Sequence, residues 1–301
     1  MKIWSIAALP LLLACDSREN SHSPDCGLTG CAEIAPLDQE IDTSAAMLTC
    51  TDDGRVSDEQ VTALRALADT TSLGGIYDVE YRIDAIATRF EACSDPRGLF
   101  ATVYRPITIQ AIKAIDEGIF EHDAWVRDLV VDFAGRYLDN LALELDGAAP
   151  SWAWDRYYEL AAHDSVSRTR TAAMGVVVHL VVDLPHCLYD IDTQERHKED
   201  FFLFGDVLVE SSDLVIDGLM LHYGADAADL FSGFFLGSWV DGLFGDDTTT
   251  AFSFQTIRTK AWNNAWLMRQ WWGGPVASSE IGSSFWFLDF TMQTLDGMGT
   301  I

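Results

Sequence analysis

Apolar residues recur three and four positions apart over most of this chain, and sustained alternation is nearly absent. That period predicts helices rather than strands. Ser57-Asp58-Glu59-Gln60 fits a capping box ahead of Val61, Leu64 and Leu67. Periodic stretches then predict helices over residues 76–93, 99–119, 120–145, 152–162, 168–189, 194–222, 226–243, 250–272 and 279–295. The expected fold is therefore all-α, a single large domain of about nine or ten helices.

One run breaks the usual pattern of an apolar face and a polar face. From Met174 to Tyr189 nearly every residue is apolar, yet His179, Asp183, His186 and Asp190 fall on one helical face. Burying an imidazole and a carboxylate is costly unless both find partners. Two solutions remain open: a metal or acid–base site lining a pocket, or a structural polar network. Pro185 follows two residues after Asp183 and lacks an amide hydrogen, so the helix is expected to kink or end there.

The N-terminus has a different organisation. Lys2 precedes an apolar run that closes on Leu12-Leu13-Ala14-Cys15. This describes a bacterial export signal, and its end resembles a lipobox, in which Cys15 becomes the lipidated first residue. An ordinary secretory signal cut elsewhere is the alternative. The expected organisation is a signal over residues 1–14, a tether over 15–45 rich in Ser, Asp, Pro and Gly, and a helical domain over 46–301. The expected location is the cell envelope, anchored to a bacterial membrane. In that oxidising compartment Cys50 and Cys93 are placed to staple the first two helices, Cys26 and Cys31 to close a loop within the tether, and Cys187 to stay buried as a thiol.

A net charge of −28 argues against a nucleic-acid partner. It also favours a monomer or weak oligomer. The chain carries no Gly-rich phosphate loop, dinucleotide fingerprint, Gly-x-Ser-x-Gly elbow or Cys-x-x-Cys pair. His-Glu-x-x-His is likewise missing, so no strong zinc motif is present.

Other polar positions extend the central motif. His197 and Asp200 stand one turn apart just beyond it, either beside Asp183 or as part of a charged helix start. Asp128, Asp132, Arg136 and Asp139 share a helix face, where Arg136 bridging Asp132 and Asp139 accounts for the set without chemistry. Arg258, Trp262 and Trp266 form a stripe in which Arg258 either stacks on Trp262 or reaches a buried carboxylate.

Three phrases recur in one order: His179-x-x-x-Asp183-Leu-Pro, His197-Lys198-x-Asp200-Phe201 and Arg258-x-x-Ala261-Trp262. Together they resemble the DUF5995 family, helical bacterial proteins with no established activity. The resemblance runs from Arg82 to Met268 and includes Phe100–Thr108. Val182, His186 and Gly205 depart from the family's usual residues. The His-x-x-x-Asp element is also faintly similar to the zinc-dependent phospholipase C and nuclease group, which uses many more histidines.

Two functions compete. In the first, a metal-assisted ester or phosphoester hydrolase, a divalent metal such as zinc is held by His179 and Asp183. Asp132, Asp200 and His186 supply further candidate ligands, and His179, Asp183, His197 and Arg258 are the candidate catalytic residues. In the second, a non-enzymatic helical binding or structural module, His179, Asp183, Lys198, Asp200 and Arg258 form a saturated network that fixes helix packing. The expected partners are the lipid bilayer, through lipidated Cys15, and a small-molecule or lipid-like ligand.

Overall fold

The computed structural model describes residues 48–231 and 254–301, within one compact unit spanning Ala45–Ile301. The predictions for Cys15, Cys26, Cys31 and residues 232–243 of the 226–243 helix lie outside the described residues. Among those described, helices dominate and no strand forms; Cys50 and Val56 make one isolated antiparallel bridge.

The helices are α1 (Asp58–Ala68), α2 (Ile76–Cys93), α3 (Leu99–Asp116), α4 (Asp123–Leu145), α5 (Trp152–Ala162) and α6 (Arg168–Val177). A wide turn, Val178–Asp183, leads into α7 (Leu184–Asp190), followed by α8 (Lys198–Val209) and α9 (Ser212–Tyr223). After the undescribed stretch come α10 (Phe254–Met268) and α11 (Gly273–Gly297). Half of the expected capping box forms: Ser57 accepts from the Gln60 amide, while the Gln60 side-chain oxygen is buried without a partner.

Two predicted boundaries are corrected. The stretch 194–222 is two helices, because the chain turns at Glu210-Ser211. The last helix starts six residues earlier than expected, at Gly273-Gly274-Pro275. Proline is tolerated in a first turn, where its missing amide hydrogen has no intrahelical acceptor.

The span from α6 through α7 is the core of the domain. It packs on α3, α4, α5, α10 and α11. By length and composition the Arg168–Asp190 span could cross a membrane, but 94% of its apolar window is buried inside the fold. Gly175 permits the close approach of α3, since a Cβ there would meet the Phe100 ring at 2.8 Å. Cys50 and Cys93 form the expected disulfide, with Cα atoms 5.5 Å apart, and Cys187 is a buried free thiol.

Candidate functional site

Pro185 shapes the site through the hydrogen bond it cannot donate. The turn before it widens, and the Leu184 amide bonds to the His179 carbonyl, five residues back. This widening adds a residue to the turn, so side chains beyond it lag by about 100° relative to a regular helix. His179 and Asp183 sit inside the widened turn and face each other. His186 is carried off their face and its Nδ1 donates to the Val182 carbonyl at 2.7 Å. Asp190, at the helix end, pairs with Arg136.

His179 Nδ1 donates to Asp183 Oδ2 at 3.0 Å. The same oxygen accepts the indole N–H of Trp154, on α5, at 2.9 Å. All three residues are buried. Because Asp183 can only accept from Nδ1, the Nε2 atom of the neutral ring carries a lone pair. That atom is buried and has no hydrogen-bond partner. Burial pulls the His179 pKa below its ordinary value of 6.5, against the opposing pull of Asp183.

Aromatic rings fix the imidazole. Phe133 of α4 stacks on it at 3.5 Å, and Phe100 and Tyr104 of α3 meet it edge-on at 5.0 Å. His179 also lines a cavity of about 30 Å3 between α3, α4 and the wide turn, whose walls include Phe100, Tyr104, Phe133, Leu180 and Phe254.

The remaining residues predicted for the site are distributed elsewhere. Asp132 precedes Phe133, and neighbours on a helix diverge by about 100°. With Phe133 stacked on His179, Asp132 turns away and pairs with Arg136 at 2.9 Å. Arg136 does bridge two carboxylates as expected, but the second is Asp190 rather than Asp139, which accepts from Thr70.

Asp200 is buried in the first turn of α8 and accepts the Glu121 and His122 amides at 3.0 and 2.7 Å, together with His122 Nδ1 at 2.9 Å. It thus holds the approach to α4. His197 accepts the Gln194 amide at Nδ1 and stacks on Trp125 at 4.8 Å. Burial, Arg196 and His122 lower its pKa. Lys198 pairs with Glu195 on the surface.

Arg258 is fully buried, with its guanidinium 4.1 Å above the Phe201 ring rather than on Trp262, and it donates to the Phe201 carbonyl. Burial lowers its pKa to about 9. Among the described residues no carboxylate pairs with it. Gly205 leaves room for this guanidinium, since a Cβ there would lie 2.5 Å from Nε.

The five candidate metal ligands therefore do not converge. Among the described residues no group of three or more His, Cys, Asp or Glu side chains is placed to hold a metal. Nor do His179, Asp183, Lys198, Asp200 and Arg258 form one network: only His179 and Asp183 touch, and their third partner is Trp154. Sequence reasoning missed Trp154, whose signal was slight. In Trp152-Ala153-Trp154 the first indole is half-exposed and the second fully buried, a difference that the helical period alone does not assign.

No curated protein and no solved structure matches this chain. The model of the family of unknown function DUF5995 matches residues 76–278, which span the wide turn, the His197–Asp200 phrase and Arg258; the chain belongs to that family.

Proposed function

We propose that this protein is a non-enzymatic helical binding module of the bacterial cell envelope, anchored through a lipidated Cys15. Its ligand is a small or lipid-like molecule that ends in a hydrogen-bond donor. The observation carrying this reading is the orphaned His179 Nε2 on a ring that lines an apolar cavity. An unpaired buried acceptor costs about 1–3 kcal/mol, which a donor on Nε2 would recover. Bound water needs two to four polar partners, whereas a hydroxyl tethered to an apolar body needs only one; the cavity surface beside the ring is apolar, so a hydroxyl meets the buried Nε2 only as the surrounding rings shift. The cavity has room for about one or two non-hydrogen atoms, so the ligand's head enters and its body lies outside.

The hydrolase reading is less well supported. Metal activation of water calls for about three protein ligands around one point, and Asp183 is engaged by His179 Nδ1 and Trp154. The envelope location is supported by the lipobox-like Leu12-Leu13-Ala14-Cys15 and by the Cys50–Cys93 disulfide, a bond that persists in oxidising compartments.

Nitrogen-15 NMR of histidine-labelled protein, titrated with ethanol and 1-butanol, tests the site. The expected result is a protonated Nδ1 and a bare Nε2 on His179, with a saturable shift of Nε2 on adding alcohol. A His179→Phe variant should lose the saturable binding. A His179 Nε2 signal that no alcohol moves would overturn the reading. Stoichiometric zinc in the purified protein, lost in His179→Ala, would replace it with the hydrolase.

A further inference from the structure

A larger cavity, of about 80 Å3, lies between α10 and α11 and shares no lining residue with the His179 cavity. Lys260 and Asn264 of α10 and Glu280 and Ser284 of α11 make its polar part. One to two turns along the same helices, Ile257 and Leu288 make its apolar part.

Glu280 organises the polar part. Its Oε1 accepts from Ser284 Oγ at 2.8 Å and Lys260 Nζ at 2.9 Å, and its Oε2 accepts from Asn264 Nδ2. Burial pushes the Glu280 pKa up, but the bonds from Asn264, Lys260 and Ser284 outweigh it and leave the carboxyl below its ordinary value.

These three donors are not equivalent. Asn264 is buried and Ser284 stands one turn from Glu280 on the same helix, so both hold the carboxylate rigidly. Among the described residues Lys260 is the sole cation on it, and its side chain is 47% exposed on a flexible stem. An exposed ion pair of this kind shifts an equilibrium by at most about fivefold. The site is therefore a fixed carboxylate beside an apolar slot, covered by a weakly held ammonium of the protein's own.

The geometry points to a second ligand site here, for a small primary ammonium ion with a short alkyl tail, at which Lys260 is a built-in competitor for Glu280. The ligand's ammonium takes the place of Lys260 Nζ on Glu280 and Ser284, and its tail lies toward Ile257 and Leu288. By comparison with an engineered cavity of about 150 Å3 that admits benzene, this one has room for about three or four non-hydrogen atoms. That is the size of propylammonium. The net charge of −28 raises the local concentration of any cation, while the apolar slot selects an organic one.

Calorimetric titration of the full chain with n-propylammonium, and with 1-propanol as the neutral control, tests this. Lys260→Ala should bind n-propylammonium about three- to fivefold more tightly than the parent, the fold-change equivalent to losing an exposed ion pair. Glu280→Gln should abolish saturable binding, and 1-propanol should bind none of the three proteins comparably. General attraction of cations to an acidic surface would act alike on parent and variants, so equal affinities would overturn the proposal. Weaker or absent binding by Lys260→Ala would overturn it too. Lys260 is half-exposed, so its replacement is expected to leave the fold intact, and that comparison decides even if Glu280→Gln fails to fold.

Discussion

His179–Asp183 and His197–Asp200 use the same two residue types about one helical turn apart, and they come to opposite arrangements. The first pair lies in the middle of a buried helix, where backbone groups are already bonded to one another. Its side chains have only each other and the Trp154 indole, and one imidazole lone pair stays unmatched. The second pair lies where α8 begins, close to the chain leading into α4, and free backbone amides compete for it. Asp200 takes the Glu121 and His122 amides, His197 takes that of Gln194, and the two side chains do not bond to each other. Spacing brings such groups near one another, but the supply of unbonded backbone donors decides what they bind.

The largest expected difference between the two regions is in stability. Asp183→Ala strands the Trp154 and His179 N–H groups in the buried core and should destabilise the fold by ~2–5 kcal/mol. Asp200→Ala strands amides beside the partly exposed His122, where water can reach them, and should cost only ~1–2 kcal/mol, the range of a lost helix cap. Urea unfolding of both variants checks the order. Equal losses would mean that the wide turn is no more closed to water than the start of α8.

Much of this contrast was legible in the sequence, and the rest was hidden for physical reasons. The apolar run around His179, the disulfide between Cys50 and Cys93 and most helix limits followed from periodicity and cysteine placement. The i,i+4 contact of His179 with Asp183 followed as well. The fate of His186 did not, because the face-sharing argument assumes 3.6 residues per turn and the turn before Pro185 is wider. Asp132 failed for a related reason. An apolar setting in sequence does not say which neighbour faces inward, and here it is Phe133. Trp154 is 25 residues before His179 in sequence, and only packing brings them together. The groove at Glu280 was invisible because Lys260, Asn264, Glu280 and Ser284 read individually as ordinary polar helix positions.

The pH response sharpens the comparison further. Both imidazoles titrate below the ordinary value of 6.5, His179 chiefly through burial and His197 through burial together with Arg196 and His122. The unfolded chain therefore takes up these protons first as the pH falls. The stabilisation is fully present above about pH 6.5 and is lost as the pH drops from there toward the lowered native values. Each group contributes a slope of at most ~1.4 kcal/mol per pH unit in that window. His179→Gln keeps an amide donor for Asp183 and should flatten the slope between about pH 5.5 and 6.5 by His179's share. An unchanged slope would show that the imidazole is charged in the native state.

The finest distinction concerns the coupling within each pair, which the two arrangements predict to be different even where single substitutions look alike. A double-mutant cycle on His179 and Asp183 compares the double variant with the sum of the single ones and isolates the energy of their mutual contact. With a direct, buried bond from Nδ1 to a carboxylate, that coupling should be about 1.5–3 kcal/mol. The same cycle on His197 and Asp200 should give a value within ~0.5 kcal/mol of zero, since the two side chains bond to different groups, Asp200 to the Glu121 and His122 amides and the His122 ring, and His197 to the Gln194 amide and Arg196. A coupling at the second pair as large as at the first would mean that the two side chains act as one unit after all. The backbone amides around Gln194 and His122 would then be secondary partners, and competition from free donors would no longer explain why the two motifs diverge.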